Sequence, residues 1–421
     1  MAGTQRARRT VARPVALALT AVLSLALAAC APAETPTVDL PTQVDAALPD
    51  DMQAQLQSAV DAAVAASGSS GAVVGVWVPW AGTWLTAVGS TSPGAGAVGT
   101  DASFKAGNIT RAMTCDVLYG LAADGTVSVD DPVTDYVTGL AGEQAMTLGE
   151  LCDSTSGIAS YAPLLSGRFT ANPERVWDPR ELVSYGTAAA MTGAPGAAYA
   201  SSDTGYVLLG LALENASGSS AAELLDEYVF SAVGMPASTL STTADVTLSG
   251  LWSGDNAEGG VACTEPRDVT DLSPSAGFTS SGVVSDLSDL GRYTQALATG
   301  ARAYDTDARF DGALPAASDA PSWYTAKGGT LQAGTLIGQY GSIPGYLTAA
   351  FADRNNGMTV VVALNNSRAS DTLVRSLAWQ LAAIASKSPA ASGATAPEAG
   401  LPWTAEDMAG QVAAAAVCPL P

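Results

Sequence analysis

The spacing of apolar and polar positions changes three times along the 421-residue chain, and each change marks a different kind of element. Over residues 51–66, Met52, Leu56, Val60, Ala63 and Val64 recur at helical spacing, and Gly68 ends the run. Residues 72–77 and 83–88 are strand-like runs joined by a Pro/Gly turn, which reads as a hairpin. Between about 112 and 298 helical segments and long loops dominate, without a repeat. Strand patterning returns at 335–340, 346–351 and 358–364, the last two joined through Asp353-Arg354-Asn355-Asn356-Gly357, whose Asn-Gly supplies the positive φ of a tight turn. Ser370 and Asp371 can cap a closing helix in which Leu373, Val374, Leu377, Leu381 and Ile384 form one face. The class expected is α+β: an antiparallel sheet built from both chain ends, with flanking helices and an inserted helical lobe.

One apolar run lies outside that plan. Arg6, Arg8, Arg9 and Arg13 precede residues 15–29, the charged and apolar regions of a secretory signal. At about fifteen residues the run is shorter than the roughly 20 that a membrane-spanning helix needs. It ends in Leu27-Ala28-Ala29-Cys30, so a lipoprotein-type signal over 1–29 with Cys30 as the lipidated residue is expected. An ordinary signal cut after Ala29 is the alternative, and Arg8-Arg9 does not settle the export route. Residues 30–50 read as a tether and 51–387 as the folded domain, with a sheet lobe over about 51–103 and 325–387 and a helical lobe over about 104–324. Residues 388–421 read as a linker and C-terminal tail.

Composition narrows the chemistry. The chain has 18 Lys+Arg, 40 Asp+Glu and no His, for a net charge of −22, or −26 once the four leader arginines are gone. Without histidine there is no Ser-His-Asp or Cys-His apparatus and no imidazole metal site. The acidic balance argues against nucleic acid and other polyanions as partners. Asp130-Asp131-Pro132 reads as a loop device, since no set of ligands at metal spacing accompanies it, and no cofactor is implied. With 48% hydrophobic and 14% charged residues the chain can bury a large core.

Cys115, Cys152, Cys263 and Cys418 suggest two disulfides in an exported protein, and sequence alone allows three connectivities. Cys115 with Cys152 and Cys263 with Cys418 is the pairing expected, because the first two flank one helical segment and the second would pin the tail. Four free buried thiols are the alternative.

Several stretches, in order, resemble the serine β-lactamase and penicillin-recognising DD-peptidase superfamily, in its class C β-lactamase and D-Ala-D-Ala carboxypeptidase branch. Phe104-Lys105-Ala106-Gly107-Asn108-Ile109-Thr110-Arg111 is similar to the opening of that family's nucleophile helix, and Asp130-Asp131-Pro132-Val133 to its "LDDPV". Thr147 to Gly157 resembles "TxxxLLTHTSG", Ser201-Ser202-Asp203-Thr204-Gly205-Tyr206 resembles "YSNTGY", and Ser285-Asp286-Leu287-Ser288-Asp289-Leu290 resembles "STAxDL". Gly338-Gln339-Tyr340-Gly341-Ser342-Ile343-Pro344-Gly345-Tyr346 is similar to "GHTGxxPGF". Over residues 70–385 the resemblance implies that fold.

Along the same stretches the family's catalytic side chains are replaced. Asn108 stands for the nucleophilic serine and Arg111 for the lysine base of Ser-x-x-Lys. An amide is no acyl-transfer nucleophile, and a guanidinium does not give up its proton. Ser201 and Asp203 replace the tyrosine and asparagine of Tyr-x-Asn, Gln339 and Gly341 fall on the Lys/His-Thr-Gly motif, and Ser154 stands where the "THTSG" histidine would be. The resemblance places Arg111 against Asp203, where a bidentate salt bridge would plug the former centre. It also maps the two backbone N–H groups of an oxyanion hole to Asn108 and Ser342, which keeps binding available. Thr110 and Ser202 are nearby hydroxyls without a neutral base, and Lys105 reads as structural.

The function expected is that of a β-lactamase-related exported lipoprotein, catalytically inactive and acting by binding at the cell envelope. A cell-wall peptide or an envelope protein is the partner implied, with the membrane held through the N-terminal lipid. An active serine hydrolase with a displaced nucleophile and a purely structural surface lipoprotein are the alternatives.

Overall fold

The structure, a computed structural model, describes residues 1–3, 38–140, 146–243, 246–398 and 400–418. Cys30 and residues 4–29 of the expected leader lie outside the described residues, and the fold is that of the unit Thr37–Pro421. Helix α1 (Asp50–Ser67) carries Asp50 and Asp51 in its first turn, where the helix dipole favours them, and ends at Gly68 with φ 67°. Strands β1 (Gly71–Val78) and β2 (Gly82–Gly89) form the hairpin. The helical segment contributes α2 (Ile109–Ala123), α3 (Leu148–Cys152), α4 (Asp203–Ser217) and α5 (Leu287–Ala298). It is followed by β3 (Leu314–Pro315), β4 (Tyr324–Lys327), β5 (Thr330–Ala333), β6 (Leu336–Ile343), β7 (Tyr346–Asp353) and β8 (Thr359–Leu364). Helices α6 (Asp371–Ala385) and α7 (Ala405–Ala414) close the chain.

The eight strands make one antiparallel sheet in the order β2-β1-β8-β7-β6-β5-β4-β3. β1 pairs with β8 from Ala72 opposite Leu364 to Trp77 opposite Thr359, so the sheet is completed from both ends of the domain, as the sequence pattern implies. Side chains alternate across it: Ala72, Val74, Val76 and Val78 join the core beneath α1, α6 and α7, whereas Val73 joins the core on the α5 side. Both faces are covered, which is why β8 is buried along its whole length and reads as a continuous apolar run. Gly357 takes φ 74° in the turn before β8.

Three features differ from the sequence pattern. Strands β3, β4 and β5 have no counterpart in it; they are short, and β4 and β5 turn through Gly328-Gly329, which breaks any visible alternation. The tail holds α7, which packs on α6 and α1, with Met408 and Val412 as its buried residues. Residues 43–48, within the stretch the sequence reads as a tether, lie against the hairpin: Gln43 Nε2 donates to the carbonyls of Val78 and Gly82 at 3.0 Å each, Thr83 N donates to Ala46 O at 2.8 Å, and Leu48 is buried. These contacts make residues 43–48 part of the sheet lobe.

Disulfides join Cys115 to Cys152 and Cys263 to Cys418, with Cα separations of 5.6 and 5.8 Å. The first ties α2 to α3, and the second anchors the tail beyond α7. Replacing Cys418 by serine is expected to lower stability by about 2–4 kcal/mol, chiefly by freeing the unfolded chain. Chemical denaturation of the oxidised protein and the variant checks this.

Lys105, just before α2, is buried; its Nζ donates to Thr270 O at 2.7 Å and lies 5.5 Å from the centre of the Tyr346 ring. Burial lowers its pKa to about 7, against the pull of Asp271 and Asp268. The unfolded chain therefore binds the extra proton above pH 7, and this group makes folding more favourable as pH rises from 7 towards 9. Stability is expected to climb over that range by up to about 1.4 kcal/mol per pH unit, and Lys105→Met to flatten the slope. Urea midpoints at pH 7, 8 and 9 measure it.

Candidate functional site

The site lies where α2, α4, β6 and the start of α6 converge. It is a cleft of about 580 Å³ lined by Asn108, Arg111, Ser201, Asp203, Ser342 and Asp371, with Tyr161, Phe169, Trp252, Ile343 and Pro344 as apolar walls. Asn108 is the residue before α2 and Arg111 is in that helix's first turn. Asp203 opens α4, whose start is capped by Ser202 Oγ accepting from Gly205 N at 3.2 Å. Asp371 opens α6, capped by Ser370.

Arg111 and Asp203 meet. Arg111 Nη2 lies 2.7 Å from Asp203 Oδ1, and the guanidinium sits 4.9 Å from the centre of the Tyr206 ring. Its other nitrogens are also engaged: Nη1 donates to Ser201 Oγ at 2.7 Å and Nε to Ser280 Oγ at 3.3 Å. Asp203 Oδ1 further accepts from Ser280 Oγ at 2.8 Å, and Oδ2 accepts from Ser160 Oγ at 2.6 Å. The pair is thus single-pronged rather than bidentate, because Ser160 takes the second carboxylate oxygen. Burial works to push the Asp203 carboxyl up, but the Arg111 charge and the hydrogen bonds from Ser160 and Ser280 outweigh it and hold the pKa below its ordinary value. Burial works the other way on Arg111, and Asp203 again prevails, raising its pKa. Both groups are therefore ionised, and neither is a proton acceptor at neutral pH.

The remaining positions divide. Asn108 does not cap α2; its Oδ1 is buried without a hydrogen-bond partner, and its side chain lies so close to Gly341 that a Cβ there would be 2.2 Å from Nδ2. Gly341 therefore leaves the space that the Asn108 side chain occupies. Ser342 lines the cleft, as Asn108 does, and its side chain is exposed. Gln339 does not line it: the side chain is buried, with Nε2 donating to Gly329 O at 2.9 Å and Oε1 accepting from Tyr340 N at 2.9 Å. Ser154, at φ 56°, has its hydroxyl 3.0 Å from Tyr206 OH. Thr110 accepts from Val283 N at 3.2 Å in the core. Ser160, Ser280 and Asp371 join the site without a signal in the sequence: a single hydroxyl in a loop or in a four-residue helix carries no periodicity, and Asp371 has the look of a helix cap. Burial raises the Asp371 carboxyl, with Arg111 and Arg375 opposing. Among the described residues no group of three or more His, Cys, Asp or Glu could hold a metal ion, and no helix is long and apolar enough to cross a membrane.

The order of motifs along this cleft meets its counterpart in known proteins. The family model described as Beta-lactamase matches residues 56–409. The chain belongs to the β-lactamase family. It is 30% identical over 151 residues to a D-alanyl-D-alanine-carboxypeptidase/endopeptidase, AmpH, of Escherichia coli K12. That match spans 34% of this chain and 38% of the relative's length. Among solved structures, a D-stereospecific amidohydrolase from Streptomyces sp. superposes with a TM-score of 0.67 at 24% identity, over 76% of this chain and 95% of the other. The octameric penicillin-binding protein homologue from Pyrococcus abyssi superposes with a TM-score of 0.66 at 19% identity, over 79% and 77%. These likenesses establish the β-lactamase-type fold, with its large antiparallel sheet.

Proposed function

We propose that this member of the β-lactamase family is an exported envelope protein that has lost acyl-transfer chemistry and acts by binding a ligand in its cleft. The observation that carries the reading is the Arg111–Asp203 pair: at the positions of the family's base and amide stand two ionised groups that neutralise each other. Asn108 offers an amide where a nucleophile is needed. Four hydroxyls around the site are engaged, with Ser160 and Ser280 donating to Asp203 and Thr110 and Ser202 accepting backbone N–H groups. The cleft itself remains open and lined by mixed apolar and polar groups, as binding sites commonly are.

Export is supported by the leader and by the two disulfides, and anchoring by the Cys30 context. A cell-wall peptide is the ligand class suggested by the AmpH relative, and an envelope protein the other. The purified chain, incubated with a fluorescent penicillin and with a fluorophosphonate, is expected to show no mass shift by intact-protein mass spectrometry. A covalent adduct on any Ser or Thr would favour the alternative of a displaced nucleophile. Ser160, whose hydroxyl faces the Asp203 carboxylate, is the residue to inspect first in that case.

A further inference from the structure

The charge inventory of the cleft says what kind of ligand it accepts. Arg111 is the single Lys or Arg among the described residues lining it, and all three of its nitrogens are held by Asp203, Ser201 and Ser280. Asp203 is matched by that same guanidinium. Asp371 is left: no described Lys or Arg nitrogen is within 4.0 Å of its carboxylate, and the hydroxyl beside it, Ser370 Oγ, is a neutral donor at 3.4 Å. The neighbouring cations are engaged by other groups: Arg368 lies 5.8 Å from the centre of the Trp252 ring, itself a wall of the cleft, and Arg111 and Arg375 act on the Asp371 carboxyl only from beyond 4.0 Å. Arg375, one turn along α6, lies over the rings of Trp379, Tyr340 and Tyr324 at 4.8, 5.5 and 5.7 Å. Arg368 pairs with Asp255 at 2.5 Å. The cleft therefore presents one carboxylate without an ion pair in the same cavity as Tyr161, Phe169 and Trp252.

We propose that the cleft selects ligands bearing a cationic amine next to an apolar group, with Asp371 as the specificity-determining carboxylate. A half-buried carboxylate without an ion pair gains from an incoming ammonium, and the apolar walls take up the group next to it. A ligand carboxylate placed beside Asp371 meets the opposite field, because the Arg111 guanidinium is paired with Asp203. The net charge of −22 extends that bias to the approach of the ligand. This inference rests on the reading that the cleft binds a ligand, and it separates from that reading in the following experiment.

Phenethylamine, 3-phenylpropionamide and 3-phenylpropionate carry positive, zero and negative charge at pH 7 on one apolar body. Their dissociation constants for the purified full chain, measured by ligand-observed NMR, are expected to rise in that order, with the amine about tenfold tighter than the neutral amide. Asp371→Asn is expected to bring the amine and the amide within about twofold of each other while leaving the amide unchanged, and Trp252→Ala to weaken all three. Tightest binding of the carboxylate, or an amine preference that survives Asp371→Asn, would overturn the proposal and leave the binding reading standing. Failure of every probe to bind, or binding that ignores Trp252→Ala, would overturn the binding reading and the proposal with it.

Discussion

Replacing Asp203 by alanine is expected to destabilise the fold by about 3–5 kcal/mol, among the largest effects available to one substitution in this chain. The reason is the guanidinium left behind. Arg111 is 3% exposed, and without Asp203 it keeps only the hydroxyls of Ser201 and Ser280 in a site that water barely reaches. Ser160 also loses its acceptor. Arg111→Met in the same background removes the stranded charge, so the double variant is expected to recover most of the loss. Acid should mimic the single change. Since Asp203 titrates below its unfolded value, its contribution is complete above the ordinary aspartate pKa and disappears as pH falls through the folded one. Urea denaturation of the four proteins of the cycle at pH 7, with the parent repeated at pH 3, measures both effects.

A second large effect is expected at a buried network on α2 whose residues do not line the cleft. Arg309 is fully buried and pairs with Asp116, also fully buried, while Arg302 Nη2 lies 3.1 Å from the other Asp116 oxygen. Arg309 Nη2 donates to Ala112 O at 2.8 Å and Nε to Gly328 O at 2.9 Å, and Tyr304 OH donates to Asp116. One side chain thus ties α2 to the β4–β5 turn. Arg309→Leu would leave the two carbonyls and part of the carboxylate unsatisfied, for an expected loss of about 3–5 kcal/mol in the same assay. Asp116→Asn, which strands two cations, is expected to cost a similar amount. Neither residue lines the cleft, so the affinity of the remaining folded protein for a cleft ligand is expected to change by less than about threefold.

These two networks differ in how far the sequence reveals them. Arg111 and Asp203 stand at positions whose neighbours follow a family pattern closely enough to place them side by side. Their supporting hydroxyls do not: Ser160 and Ser280 reach Asp203 from a loop and a short helix, 43 and 77 residues away along the chain, and nothing in local periodicity marks them. The Asp116–Arg309 pair is 193 residues apart in sequence and follows no motif, so only the fold brings it together. The same logic holds for the elements. β1, β2 and β6 to β8 carry long apolar runs and are legible, whereas β3 to β5 are two to four residues long and depend on their neighbours for definition. Helix α7 is Ala-rich, and two buried residues in ten give too weak a stripe to read. Asp371 looks like a helix start in the sequence, and its place in the cleft is visible only once β6 and α6 are set beside each other.

The Arg111–Asp203 pair also sets the order in which change can occur at this site. A chain that altered Arg111 to lysine first would hold a shorter cation that cannot reproduce the three-nitrogen grip on Asp203, Ser201 and Ser280. A chain that altered Asp203 first would carry an unmatched guanidinium through every generation until the second change arrived. Each single change at the pair therefore passes through a less stable protein, in whichever direction it is taken. The two positions are coupled, and substitutions tolerated at one of them are expected to depend on the residue at the other.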